Sequence, residues 1–154
     1  MLSSSHFITH GPSPLAPNTV EVSGLHLRKS IVSNIPVDIR KTLDEAADGA
    51  VYVSFGGTVN PSKMPKAKLK VFLKAFEEIK IPVIWKINSS DICEELPPNV
   101  LTVDWAPQQD ILGHQNTKVF LTHGGLLSIQ EALFHKVPIV GIPLWFDQKP
   151  NMMR

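Results

Sequence analysis

Five short apolar runs, each ending at a glycine pair or a polar cluster, constrain this chain more than any other feature of it. AVYVSFGG, from Ala50, is apolar, β-branched and aromatic and stops at two glycines, the pattern of a buried strand entering a tight loop. Lys66 to Lys80 comes next with a different period: Leu69, Phe72, Leu73, Phe76 and Ile79 fall on one helical side, and Lys66, Lys70, Lys74, Glu77 and Glu78 on the other. PVIWKI from Pro82 and VLTVD from Val100 give the second and third strands, with the Pro-rich ICEELPPN between them as loop. KVFLTH gives a fourth, ending at His123; Gly124, Gly125 and a helix LLSIQEALFH lead to a fifth, PIVGIP. Strands alternating with helices predict an α/β fold, a parallel sheet covered by helices on both faces and wound by right-handed crossovers.

The first 35 residues read differently. They are rich in Ser, Pro, His and Asn, and Pro12, Pro14 and Pro17 are too closely spaced for a helix or a central strand, so residues 1–35 read as a connecting segment. Within it Val20 to Leu27 fits an edge strand. Val37 to Ala47 fits a helix entered at Pro36, with Ile39, Leu43 and Ala46 on one side. Residues 36–154 are then one domain, and 154 residues at 43% hydrophobic content suffice for one core.

Composition excludes several functions. Fifteen Lys and Arg against fourteen Asp and Glu leave no global field for nucleic acid or an acidic membrane. The single cysteine, Cys93, rules out an internal disulfide and any cysteine-based zinc cluster, and His6, His10, His26, His114 and His135 show no ligand spacing and read as ordinary loop or surface histidines. No run reaches the roughly 18 apolar residues of a membrane span, and the opening MLSSSHFITHGPSPLAP lacks a secretion signal's apolar stretch. No Gly-x-Gly-x-x-Gly follows the first strand and no Gly-Lys-Ser/Thr occurs, which argues against dinucleotide and P-loop chemistry.

Open parallel sheets bind ligands beyond the carboxyl ends of their strands. Those positions hold Gly56-Gly57-Thr58, Trp105-Ala106-Pro107-Gln108-Gln109, His123-Gly124-Gly125 and Asp147-Gln148. The Gly pair after His123 admits close backbone approach, and the helix behind it presents unpaired N–H groups, a geometry suited to a phosphate that His123 and Ser128 would also meet. Ser128-Ile129-Gln130-Glu131 is equally a capping box, and spacing alone does not separate the two readings. Glu131 has two oxygens for the paired hydroxyls of a ribose, or is a first-turn acid favoured by the helix dipole. Trp105 offers a face on which a base stacks, although a lone Trp is more often core. Asp147 and Gln148 together supply acceptors and donors for a sugar, against the plainer reading of an exposed loop pair.

The stretch WAPQQDILGHQNTKVFLTHGGLLSIQEALFHKVPIVGIPLWFDQKPN, Trp105 to Asn151, closely resembles the signature segment of UDP-glycosyltransferases of the glucuronosyl and glucosyl type, especially insect-like members. VYVSFGG, FLKAFEEIKIPVIWKI and ELPPNVLTVDW are similar to the nucleotide-binding domain of that family, and HFITHGPSPLAPNTVEVSGLHL to the segment joining its two halves. The resemblance implies the C-terminal half of a GT-B glycosyltransferase, one of two facing Rossmann-like domains. It implies that Trp105 stacks on uracil beside Gln108, that His123, Gly125 and Ser128 meet the diphosphate, with Gly57 and Thr58 approaching it, and that Glu131 holds the ribose. Asp147 and Gln148 would hold the sugar. Leu127 stands where many relatives have Asn.

The resemblance also implies a function. The family transfers a hexose from UDP to a small lipophilic acceptor with inversion, using a basic His and an Asp of the other domain, so no catalytic residue is assigned here. The chain is expected to bind the donor UDP-sugar without metal or cofactor, to lack its closing helices beyond Asn151 to Arg154, and to be inactive alone. The alternative is a non-catalytic UDP-sugar-binding or regulatory product that associates with intact relatives. Full-length relatives reach the endoplasmic reticulum membrane through a signal peptide and a C-terminal helix, and this chain retains neither.

Overall fold

The computed structural model describes residues 1–3, 11, 14–57, 64–88, 92 and 94–153; Pro12, His6, His10, Thr58 and Cys93 lie outside the described residues. Its elements are β1 (Leu2–Ser3), β2 (Val20–Glu21), a 3-10 turn (Val32–Asn34), α1 (Val37–Glu45), β3 (Ala50–Ser54), α2 (Lys66–Ile79), β4 (Val83–Lys86), β5 (Val100–Val103), α3 (Gln108–Leu112), β6 (Thr117–Thr122), α4 (Leu126–Phe134), β7 (Ile139–Gly141) and α5 (Gln148–Met152). The five strands read from the sequence form one parallel sheet in the order β5-β4-β3-β6-β7.

All five residues of β3 are buried because both of its faces are covered. Val51 and Val53 join Leu69, Leu73 and Phe76 of α2, with Val83, Trp85 and Leu121, in one core. Tyr52 points the other way and joins Ile39 and Leu43 of α1, Ile111 and Leu112 of α3, Ala132 of α4, Ile84 and Phe120. The period of two along a strand thus divides a continuous apolar run between two layers. Tyr52 stacks on Phe120 with ring centres 5.3 Å apart and planes 12° apart, and Phe76 meets Trp85 edge-on at 5.3 Å. Each such fully buried side chain contributes roughly 1.5–3 kcal/mol by leaving water.

Four local expectations change. Val20–Glu21 pairs in parallel with Leu2–Ser3 in a separate two-stranded sheet, not at the edge of the main one. Ile79 is 43% exposed because α2 ends there, at Lys80 in the left-handed conformation (φ 58°), before the next turn covers it. Gln108–Leu112, which carries no helical signal in the sequence, is a helix entered from Pro107 and stopped at Gly113; five residues are too few to show a helical period. His114 and His135 are loop histidines, but His114 is buried 3.1 Å from Asp44 and His135 is half-buried, so neither is an exposed surface one.

Residues 23–31, inside the stretch read as a connecting segment, are bonded to the domain. Arg28 grips Asp110 through two hydrogen bonds of 2.6 Å, Ile31 N–H donates to Asp110 Oδ1 at 2.7 Å, and Gln130 donates to Ser23 Oγ at 2.9 Å. Among the described residues, no helix is long and apolar enough to cross a membrane.

Candidate functional site

The chain builds β3, β4 and β5 outward, then returns to lay β6 on the other side of β3. The carboxyl ends of β3 and β6 therefore flank the point where strand order reverses, the place where such sheets open a crevice. Ser54 and Thr122 are the last paired residues there. Just beyond them the His123 ring fills the space above Gly56, where a β-carbon would come within 2.9 Å of its Cε1, and beside Gly125, where one would come within 2.8 Å of Nε2. Gly56 also has φ +78°, a conformation that side chains disfavour, so this position needs glycine twice over. His123 is 8% exposed, and burial holds its imidazole below the ordinary value of 6.5, while the charge of Asp147 pulls the other way. Thr122 Oγ1 lies 3.3 Å from His123 Nδ1.

Helix α4 begins at Gly125 with no side chain capping it, so its first backbone amides face the crevice unpaired by any intrahelical carbonyl. Ser128 lies inside the first turn and not at the cap, and Glu131 lies one turn later. The capping-box and first-turn readings of the pair are thereby overturned. Three residues apart, Ser128 and Glu131 share one side of the helix. Gln108, the first residue of α3, spans both: its Nε2 donates to Ser128 Oγ at 3.0 Å and to Glu131 Oε2 at 2.6 Å.

Gln108 and Glu131 line a cavity of about 430 Å³ with Trp105, Gln109, Asp110, Arg28 and Asn34, among others; Ser128, His123, Gly125, Asp147 and Gln148 are not among its lining residues. Trp105 is 66% exposed, which overturns the core reading of that residue and leaves its indole face open. Arg28, Asn34 and Asp110 are wall residues that no motif marks. Asp110 is fully buried beside Ile111 and Leu112, and the half-exposed Arg28 holds its carboxyl below the usual carboxylate range by direct hydrogen bonding. A groove of about 480 Å³ between α2 and residues 94–98 holds none of the strand-end residues.

Asp147 and Gln148 part company. Asp147 is exposed at the start of α5 and accepts from Asn151 Nδ2 at 2.8 Å, and the same amide donates to Gly124 O at 3.1 Å. Gln148 is 4% exposed, its Oε1 accepting from the N–H groups of Leu144 (2.8 Å) and Trp145 (3.1 Å). That clamp braces a turn in which Phe146 sits at φ 52°, an uncommon conformation for a bulky residue. Gly57 is exposed beside Gly56; Thr58 lies outside the described residues. Among the described residues, no three His, Cys, Asp or Glu side chains converge as a metal site would require.

Comparison with known proteins gives consistent relatives. The sequence model of the family described as "UDP-glucoronosyl and UDP-glucosyl transferase" matches residues 1–154. UDP-glucosyltransferase 2 of Dactylopius coccus is 39% identical over 149 residues, 97% of this chain and 28% of the relative. UDP-glucuronosyltransferase 3A2 of Homo sapiens is 42% identical over 144 residues, 92% of this chain and 27% of the relative. This chain thus spans less than a third of the length of these relatives. Among solved structures, a UDP-glucose:anthocyanidin 3-O-glucosyltransferase in complex with UDP is similar at a TM-score of 0.69 with 26% identity, over 86% of this chain and 31% of the other. Os79 from O. sativa in complex with UDP is similar at 0.67 with 28% identity, over 76% of this chain and 27% of the other.

Proposed function

Because this chain belongs to the UDP-glucuronosyl and UDP-glucosyl transferase family, we propose that its crevice binds the UDP-sugar donor of a hexosyl transfer. The fold is one Rossmann-like half of a GT-B glycosyltransferase. The observation that carries the reading is the bonded set Gln108–Ser128–Glu131, whose Gln108 and Glu131 line one cavity with the open face of Trp105.

In this reading uracil stacks on Trp105. The Glu131 carboxylate accepts from the ribose hydroxyls, with Gln108 holding one of its oxygens. The diphosphate lies against the uncapped start of α4 at Gly125, beside Ser128 and His123, with Gly57 at its other side. Developing charge on the leaving diphosphate would be met there by backbone N–H groups and the His123 ring. The hexose extends toward Asp147; Gln148, whose oxygen serves the turn, offers it an amide nitrogen at most. Residues 36–154 form the donor domain, and residues 1–35 join it to the rest of the enzyme. The acceptor site, a small-lipophile pocket, and the general base belong to sequence outside this chain, so transfer requires that sequence.

Isothermal calorimetry of the folded chain with UDP, UDP-glucose and UDP-glucuronate tests this. Saturable binding of UDP with no hexosyl transfer to a phenolic acceptor is expected. A folded chain that binds none of the three would end the proposal.

A further inference from the structure

Glu131 has a second neighbour, and it comes from far away in the chain. His26 Nε2 lies 3.3 Å from Leu127 O, and the same nitrogen is 3.9 Å from Glu131 Oε1. A carbonyl only accepts, so the contact with Leu127 requires the proton on Nε2, which leaves an N–H directed between that carbonyl and the carboxylate. Gln108 occupies the other oxygen, Oε2, at 2.6 Å. The carboxylate is therefore flanked on both sides, by Gln108 from α3 and by His26 from the segment that precedes the domain. Both side chains of the His26–Glu131 pair are largely withdrawn from water, at 27% and 13% exposure.

His26 is held there by a device of its own. Gln109 Nε2 donates to His26 O at 3.0 Å, and Gln109 Oε1 accepts from Arg28 N–H at 2.9 Å. One carboxamide thus pairs with residues 26 and 28 as a neighbouring strand would. Arg28 on Asp110, and Ser30 Oγ donating to Asp110 O at 2.9 Å, tie the strap on its far side, and Ser23 on Gln130 ties its near side. All of these anchors lie on α3 and α4, the two helices whose starts frame the crevice.

We propose that His26 is a positioning residue of the ribose clasp, holding the Glu131 carboxylate from the side opposite Gln108, so that residues 23–31 are a working wall of the nucleotide site. The proposal rests on the donor-binding reading above. Glu side chains have three rotatable bonds, and a carboxylate hydrogen-bonded at one oxygen by Gln108 and bordered 3.9 Å from the other by the His26 nitrogen meets a cis-diol with part of that freedom already lost. Nucleotide binding and docking of the strap then stabilise each other through Glu131.

The test titrates UDP and 2′,3′-dideoxy-UDP into the full chain and its variants by calorimetry. His26→Ala is expected to weaken UDP about fivefold and leave the dideoxy analogue unchanged. His26→Gln, which keeps a side-chain N–H of similar reach, is expected to restore UDP to within about twofold. The double variant with Glu131→Ala is expected to bind no more weakly than Glu131→Ala alone. Gln109→Ala, which releases the strap at residues 26 and 28, is expected to reproduce the selective loss if His26→Ala fails to fold. Unchanged UDP affinity in His26→Ala, equal losses for the two nucleotides, or additive losses in the double variant would overturn the proposal while leaving donor binding standing. Failure of the unaltered chain to bind UDP would remove both.

Discussion

Gln108 Nε2 sits 2.6 Å from Glu131 Oε2, so the first residue of α3 holds the carboxylate that projects from the second turn of α4. A hydrogen bond to an ionised carboxylate is worth roughly 1.5–3 kcal/mol. Gln108→Ala is expected to weaken UDP binding about tenfold while moving the melting temperature little, since neither partner belongs to the apolar core. Calorimetry and thermal melts on the same preparation check both halves of the statement. A large fall in melting temperature would show the pair to be structural.

Trp105 gives the sharpest separation of binding from stability. The residue is 66% exposed, so Trp105→Ala should cost at most about 0.5 kcal/mol in folding. Stacking of a base on an aromatic ring contributes about 1–3 kcal/mol, so UDP affinity should fall roughly ten- to a hundredfold. Urea unfolding and UDP titration are the two measurements, and a stability loss without an affinity loss would contradict the assignment.

The adjacent glycines Gly56 and Gly57 should respond oppositely to the same substitution. A β-carbon on Gly56 meets the His123 ring at 2.9 Å in a left-handed backbone, whereas one on Gly57 meets nothing within 4 Å. Gly56→Ala is expected to displace His123, cost about 1 kcal/mol or more in stability and weaken UDP at least several-fold. Gly57→Ala should leave stability within about 0.5 kcal/mol of the unaltered chain. Urea unfolding and UDP titration of the two variants side by side check the contrast.

Burial holds His123 below its ordinary value of 6.5, which fixes the direction of two pH effects. The unfolded chain binds the proton more tightly than the folded one, so below pH 6.5 this group destabilises the fold, increasingly as pH falls toward its folded value. A diphosphate beside the ring raises that value, so UDP binding takes up protons and tightens as pH is lowered from about 7.5 toward about 6. Calorimetry in buffers of different ionisation enthalpy measures the uptake. His123→Gln should abolish it.

Asp110 behaves in the opposite sense. Its carboxyl is held below the usual 3.8, first by hydrogen bonding to Arg28. Its stabilisation is fully present above pH 3.8 and is lost as pH falls through the lower folded value. Asp110→Asn is expected to lower the melting temperature by about 5 °C at neutral pH. That difference should close at strongly acid pH, as melts of the two proteins from about pH 7 to about pH 2.5 would show.

Much of the fold was legible because its signals are local. The apolar runs at Ala50 and Val83 are largely withdrawn from water on both faces, so composition alone marked them, and Ile39, Leu43 and Ala46 fell on one helical side and are all buried. The candidate site was legible where a strand end and a glycine pair coincide, at His123. Helix α3 was not legible, since five residues do not complete two turns. Nor was the fate of Gln148, for a polar residue beside Asp147 looks exposed until the backbone of Leu144 and Trp145 folds over it.

Sequence alone therefore determined the elements, their order of alternation and the residue types available beyond each strand, because periodicity and chain punctuation act over a few residues. Tertiary structure decided which of those residues meet. Arg28 reaches Asp110 across 82 positions and His26 reaches Leu127 across 101, and no local propensity specifies such pairs. They arise because returning β6 to the inner side of β3 brings α3 and α4 side by side beneath the segment that precedes the domain.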